Sequence, residues 1–230
     1  MLKLLKQTNR LEESLFLGIL TLLCVSLSIF RYTYTETLHF LFLNWNLFLA
    51  FIPWLLTSLI SIHPALRQST IIVIPLIACW LLFFPNAPYI LTDLYHLTDR
   101  SSMPVWFDLM LILTYAWTGL LAGFMSLWEL ERMVSGVIKQ QYRTVLIIFL
   151  FFLSGFGIYI GRFLRWNSWD VIHKPFHIIE DIAERLVDPL VHPGTWGVTI
   201  FMGLFLCVLY WSFKIVTTRS ESEKDIHKTT

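Results

Sequence analysis

Polar side chains that could exchange protons with a substrate follow a proline-rich interruption in one apolar stretch. In FFPNAPYILTDLYHL, Asn86 lies between two prolines, and Asp93 and His96 follow at spacing i, i+3. A carboxylate and an imidazole on one helical face suit general acid and base catalysis. We expect Asn86 to bond to the backbone that the prolines disrupt. The alternative for Asp93 and His96 is a kinked helix end at which both are solvated. Both interpretations stay open.

A second group of polar residues ends the later stretch GFGIYIGRFLRWNSWD. Arg162 and Arg165 are three residues apart, and Asn167 and Asp170 follow. Paired guanidinium groups suit a carboxylate or a phosphate, so Arg162, Arg165, Asn167 and Asn86 are the predicted substrate-binding residues. The alternative is that the two arginines pair with aspartates or reach lipid phosphates.

Asp108 lies a few residues inside another apolar stretch. A carboxylate there is costly unless it is paired or hydrated, and we expect Arg162 or Arg165 to pair with it. The alternative is an interfacial carboxylate near the lipid headgroups. The predicted catalytic residues are Asp93, His96, Asp108 and Asp170.

Glycines four residues apart occur in two of the apolar stretches, as Gly119 and Gly123 and as Gly157 and Gly161. Small residues at this spacing let membrane helices approach closely. We therefore expect these two helices to pack together and to bring Asp108 near the arginines.

The spacing of His173 and His177, HxxxH, is typical of a zinc site on a helix. Pro175 lies between them, and a helix that begins there leaves His173 outside it. The cofactor is therefore unknown. A divalent metal held by Asp93, His96 and His173 is a variant of the hypothesis.

The composition indicates a membrane protein. Of 230 residues 56% are hydrophobic and 14% are charged, with a mean hydropathy of +0.65, whereas soluble domains carry about 25% charged residues. The net charge of +1 indicates no nucleic-acid partner. A spanning helix needs roughly 20 apolar residues, so we predict an all-α, polytopic transmembrane bundle. Its predicted spans are near residues 14–30, 41–62, 70–91, 105–128, 144–160 and 196–216.

Two further features give the bundle a direction. Residues 176–190 predict an amphipathic helix on the outer surface, opened by Pro175 and closed by Pro189. With six spans, eleven lysines and arginines lie on the side of the termini and six on the other, which predicts cytoplasmic termini and a polar cytoplasmic tail over 217–230. The fourth connection, ELERMVSGVIKQQYR, is a generic amphipathic loop.

The motifs resemble a known family. FFPNAPYILTDLYHL, WFDLMLILTYAWTGLLAG and GIYIGRFLRWNSWD together resemble the bacterial membrane proteins catalogued as domain-of-unknown-function family 1361. The resemblance runs from roughly the second span to the last. It implies a multi-pass protein of the bacterial cell membrane, and it implies no activity and no catalytic residues.

Three functions are compatible with these features. An enzyme at the outer membrane face would bind an anionic, lipid-like substrate with the arginines and use the carboxylates and His96 for acid–base chemistry. A transporter subunit would use the broken third span. An accessory protein would use the polar residues only to hold its fold. The lipid bilayer is the expected partner, together with a second copy of the chain or another membrane protein.

Overall fold

The chain is helical, with no strand among the residues that can be described. The computed structural model describes residues 10–63, 66, 69–97, 103–166 and 168–229, with side chains as far as Arg219. Asn167, Arg100 and Arg67 lie outside the described residues. The helices are α1 (Arg10–Thr35), α2 (Phe42–Ile62), α3 (Thr70–Phe83), α4 (Asn86–Tyr89), a 3₁₀ helix (Ile90–His96), α5 (Val105–Met133), α6 (Gln140–Phe163), α7 (Asp170–His173), α8 (Pro175–Val187) and α9 (Pro193–Thr229).

Six helical segments are long and apolar enough to cross a membrane. They contain 21 to 29 residues, or about 30 to 45 Å at 1.5 Å per residue, which exceeds the roughly 30 Å of a bilayer core. The six predicted spans coincide with them, so the predicted polytopic all-α class is confirmed. The segments are Arg10–Thr35, Phe42–Ile62, Thr70–His96, Val105–Met133, Gln140–Phe163 and Pro193–Arg219.

The chain divides into two compact units, Met1–Leu127 and Trp128–Thr230. The first unit contains α1, α2, the third span and most of α5. The second contains the last turns of α5 and the helices from α6 to α9. Each unit positions its own set of polar residues.

The core of the first unit lies between α5, α2 and the end of the third span. Leu111 and Tyr115 of α5 are buried with Leu47 of α2 and Ile90 of the third span. Lipid tails are as apolar as these side chains, so close packing rather than escape from water favours this contact.

Two glycines of α5 allow the third span to approach closely. A Cβ atom on Gly119 would meet Ile90 Cδ1 at 2.9 Å, and one on Gly123 would meet Ala87 Cβ at 2.7 Å. The prediction that these glycines pack on the fifth span is therefore wrong, because the third span fills the space beside them.

The third span is broken where its prolines predict. α3 ends at Phe83, α4 begins at Asn86, and the segment finishes as a 3₁₀ helix. The Asn86 side chain donates a hydrogen bond to the Phe83 carbonyl at 2.9 Å. This contact confirms that Asn86 satisfies backbone at the break, where the ring of Pro85 disrupts the helical ladder.

In the second unit α6 packs against α9. A Cβ atom on Gly155 of α6 would meet the Thr199 carbonyl oxygen at 2.7 Å, and one on Gly203 of α9 would meet the Phe152 ring at 2.9 Å. The predicted amphipathic helix is α8, which begins at Pro175 as expected and ends at Val187, before Pro189.

Candidate functional site

A seam of polar pairs joins one face of α1 to one face of α5. Residues 24, 28 and 31 are spaced by about one turn and share a face of α1. Polar contacts between membrane helices favour their association. The pairs are Cys24 Sγ–Thr118 Oγ1 (3.4 Å), Ser28 Oγ–Tyr115 OH (2.6 Å) and Arg31 Nε–Asp108 Oδ1 (2.7 Å).

The pair of Arg31 and Asp108 is bidentate and buried. Arg31 Nη2 also donates to Asp108 Oδ2 at 3.2 Å, and the two side chains are 4% and 2% exposed. Arg31 Nη1 donates to Thr37 Oγ1 at 3.0 Å, and the guanidinium group lies 4.6 Å from the centre of the Phe40 ring. The parallel hydrogen bonds and the neighbouring acceptor are what a buried charge pair needs to offset its desolvation.

This pair gives Asp108 a partner that the sequence analysis did not consider. We expected Arg162 or Arg165, which belong to the other unit, and a pairing with either stays a prediction. The sequence does contain a signal for this pairing. Arg31 shares one face of α1 with Cys24 and Ser28, which also contact α5.

Asp93 is held against α2. It is 1% exposed, and its Oδ2 accepts a hydrogen bond from Asn46 Nδ2 at 2.9 Å. The His96 ring lies 5.2 Å from the Phe42 ring, one turn earlier in α2. These contacts agree with the predicted common face of Asp93 and His96, although Asp93 is buried and His96 is exposed.

Little space lies beside the buried pair. A pocket next to Arg31 is lined by Ser28, Tyr32, Thr37 and Phe40, and a water molecule does not fit inside it. A substrate therefore does not reach Asp108 through this pocket without movement of the protein.

In the second unit Arg165 is more accessible than Arg162, the other predicted binding residue there that the structure describes. It is exposed and has a left-handed backbone with φ of 63° in the turn after α6. The Trp166 backbone N–H donates to the Ile160 carbonyl at 3.3 Å and closes that turn. Arg162 and Asp170 are half-buried.

Arg185 connects α8 to this turn. It is 7% exposed, and its Nη1 donates to the Asp181 carbonyl at 2.6 Å. The Asp181 carboxylate accepts a hydrogen bond from Trp166 Nε1 at 2.6 Å and lies 3.4 Å from Arg185 Nη1. Arg185 thus serves an internal network that the sequence analysis missed, because its position indicated only an exposed charge.

The predicted metal ligands are not assembled in the part of the chain that can be described. There, no group of three or more His, Cys, Asp or Glu side chains is placed to hold a metal. His173 ends α7 and His177 lies in α8, with non-helical backbone at Lys174 between them (φ −138°, ψ 50°). Their HxxxH spacing therefore does not lie on one helix.

A third buried carboxylate lies in the fourth connection, which we predicted to be generic. Glu131 is 6% exposed. It accepts hydrogen bonds from Lys214 Nζ at 2.5 Å and from Tyr210 OH at 2.9 Å. Arg143 Nη1 donates to the Glu131 backbone carbonyl at 3.0 Å. The cluster ties α5, α6 and α9 together at one end of the second unit.

The predicted site residues are divided between the units. Asp93, His96 and Asp108 lie at one end of the first unit with Asn86 nearby in the chain. Arg162, Arg165, Asp170 and the two histidines lie in the second. A single site that contains all of them stays a prediction.

Comparison with known proteins identifies a family. No curated protein and no solved structure matches the chain. The model of a family described as "Protein of unknown function (DUF1361)" matches residues 45–209, well over half of the sequence. The chain therefore belongs to this family of proteins of unknown function.

Proposed function

We propose that this protein binds an anionic, lipid-like molecule at the outer face of a bacterial cell membrane, with both termini in the cytoplasm. The orientation is supported by the eleven lysines and arginines on the side of the termini against six on the other. The bacterial setting is what the resemblance implies. The residues we assign to binding are Arg162, Arg165 and Asn167.

Arg165 carries the proposal. A residue with a side chain pays about 1 kcal/mol or more to adopt the left-handed conformation. No ion-pair partner of Arg165 appears among the described residues, and its side chain is exposed. A strained turn that presents an accessible guanidinium group suits the capture of a carboxylate or phosphate from outside the chain.

The apolar face of α8 supports a lipid as the source of that anion. Phe176, Ile179, Leu186 and Val187 are 77%, 60%, 55% and 75% exposed, and they lie on one side of α8. The acidic residues of α8 lie on other sides. Because α8 is tethered between two spans by short connections, its apolar stripe stays at the bilayer surface, where it can sink among the lipids.

The burial of the carboxylates favours binding over catalysis. A general acid or base must reach the proton that it transfers. Asp93 and Asp108 are each 1% exposed and engaged by Asn46 and Arg31. For an enzyme acting on the same ligand, we would assign acid–base chemistry to His96 and Asp170, the more accessible members of the predicted set.

An accessory membrane protein is the second candidate. It is favoured by the polar seam between α1 and α5. There Arg31 and Asp108 pair with each other, so their charges hold the fold. Purification in mild detergent tests it: a stoichiometric membrane partner, or a second copy of the chain, that protects the outer loops would favour this role. A transporter subunit would instead show flux in proteoliposomes.

The binding proposal is tested with the full chain in nanodiscs that contain phosphatidylglycerol and phosphatidylcholine. Native mass spectrometry measures the enrichment of the anionic lipid. We expect Arg165→Gln to lower that enrichment about fivefold, because one cation near a membrane surface contributes about 1 kcal/mol. Arg165→Lys retains most of it.

Arg165→Gly distinguishes the effect of the Arg165 charge on lipid binding from the effect of the backbone strain on stability. Glycine relieves the left-handed strain, so we expect the free energy of unfolding to rise by about 1 kcal/mol while anionic lipid enrichment falls. Glu36→Gly is the matched control, since Glu36 is also exposed with a φ of 53°. It should relieve strain and leave enrichment unchanged. Full enrichment in Arg165→Gly would refute the proposal.

A further inference from the structure

Four buried polar atoms without a hydrogen-bond partner within the described chain fall between residues 185 and 196. They are Arg185 Nε, His192 Nε2, Thr195 Oγ1 and Trp196 Nε1. Buried polar groups are nearly always hydrogen-bonded, so a cluster of such atoms calls for a ligand. We infer that the junction of α8 and α9 binds the ester carbonyl group of a glycerolipid.

The four residues surround one short connection. His192 Nε2 lies 3.4 Å from Glu184 Oε1, close enough for an ion pair but without the geometry of a hydrogen bond, and Arg185 Nη1 lies 3.7 Å from Glu184 Oε2. The Thr195 backbone N–H donates to the His192 carbonyl at 3.1 Å, in the first turn of α9. Glu184 thus joins Arg185 to His192, and His192 joins both to α9.

The chemistry of the atoms selects an acceptor. The Nε atom of arginine and the indole Nε1 of tryptophan can only donate, and a threonine hydroxyl can donate as well. Arg185 and Thr195 are 7% and 0% exposed, whereas Trp196 and His192 are partly exposed side chains whose ring nitrogens are buried. We therefore place the entry of an acceptor group at the partly exposed rings of Trp196 and His192.

Local charge decides which acceptor fits. Arg185 contributes one positive charge, and the carboxylates of Asp181 and Glu184 beside it are two acidic groups. A phosphate dianion would be repelled by this balance. A carbonyl oxygen is a neutral acceptor and avoids that repulsion.

The depth of the junction matches the ester layer of a bilayer. The apolar part of α9 contains 27 residues, or about 40 Å, against a hydrocarbon core of roughly 30 Å. Its first turn therefore extends about 5 Å beyond the core, into the interfacial region that holds the ester groups. This step rests on the proposed placement of α8 at the bilayer surface.

The experiment compares two phosphatidylcholines that differ only in the linkage of their chains. Diphytanoyl phosphatidylcholine has ester carbonyl groups, and its diphytanyl ether analogue has none. Native mass spectrometry of the full chain in an equal mixture measures how many copies of each lipid stay bound. We expect a two- to tenfold preference for the ester, the range of one net neutral hydrogen bond.

Two substitutions remove single donors with little change of shape, Thr195→Val and Trp196→Phe. Each should abolish most of the preference. Trp54→Phe is the matched control, since Trp54 Nε1 is another buried donor without a partner, located in α2 of the first unit. It should keep the preference intact. Thermal unfolding verifies that the variants fold. If Thr195→Val does not fold, Trp196→Phe alone tests the inference.

Equal binding of the two lipids by the wild-type chain would overturn the inference, as would an unchanged preference in Trp196→Phe. Both lipids carry the same zwitterionic headgroup, so the outcome is independent of anionic lipid enrichment. A chain that prefers phosphatidylglycerol but not the ester would retain the proposed function and lose only this inference.

Discussion

At the scale of single residues, the burial of Arg31 and Asp108 sets a large energetic constraint. Each charge would cost several kcal/mol if it were buried alone, and each offsets the cost of the other. The two hydrogen bonds between them and the contact of Arg31 with Thr37 satisfy polar atoms that would otherwise lack partners. Replacing either residue alone should therefore lower the free energy of unfolding.

We predict that Asp108→Asn lowers the free energy of unfolding by about 3–5 kcal/mol, because Arg31 keeps its charge in a buried place without a counter-charge. The double variant Arg31→Met, Asp108→Leu should lose much less, since no charge is left behind. Titration of the protein with SDS in mixed micelles measures both. The exposed carboxylate Asp188 supplies the control, and Asp188→Asn should be neutral. If the double variant lost the sum of the effects of Arg31→Met and Asp108→Leu, each measured alone, the pair would not interact.

The partner of Asp108 could not be predicted from the sequence. Arg31 and Asp108 are 77 residues apart, and Arg162 and Arg165 lie equally near the end of a span. Hydropathy places a residue along the membrane normal, but the arrangement of helices around one another decides which residues meet. By contrast, Asn86 bonds three residues back in the chain, and a local contact of this kind follows from the prolines alone.

At the scale of helices, the spans were predictable because lipid cannot hydrogen-bond the backbone, so any sufficiently long apolar stretch must be helical. α8 was predictable because proline fixes its start and its apolar residues share one face. The helix that packs against the glycines of α5 could not be predicted from the sequence. Small residues show that some helix approaches closely, but they do not identify which one.

We predict that Gly123→Ala destabilises the first unit by about 1–3 kcal/mol, because its Cβ atom would overlap Ala87 in the third span. Gly18→Ala is the matched control. Nothing lies within 4 Å of a Cβ atom at Gly18 in α1, so alanine should stabilise that helix by up to about 1 kcal/mol. Thermal unfolding of the two variants in the same detergent provides the comparison. Equal midpoints would count against the close approach of α5 and the third span.

At the scale of the whole molecule, the proposed orientation has a direct test. We predict that a membrane-impermeant maleimide labels Glu180→Cys in intact cells and labels Val137→Cys only after permeabilisation. Both positions are exposed, one on α8 and one in the loop between α5 and α6. The background is a variant in which Cys24, Cys79 and Cys207 are replaced by alanine.

The reverse labelling pattern would place the termini outside the cell. Equal labelling of the two positions in intact cells would mean that the single span between them, α6, does not cross the membrane. The binding proposal requires Glu180 and Arg165 to face the outside of the cell. This experiment therefore also tests whether the proposed binding residues are on the outer side.

The ion pair of Arg31 and Asp108 has a consequence for biosynthesis. Arg31 leaves the ribosome 77 residues before Asp108, and at 5–20 residues per second the interval is about 4 to 15 s. During that time the first helix carries a cation whose partner has not yet been made. The nascent chain must keep Arg31 near water or beside the insertion machinery until the fourth span arrives. Chains arrested before residue 108 should consequently be recognised by membrane quality control and degraded faster than chains arrested after it.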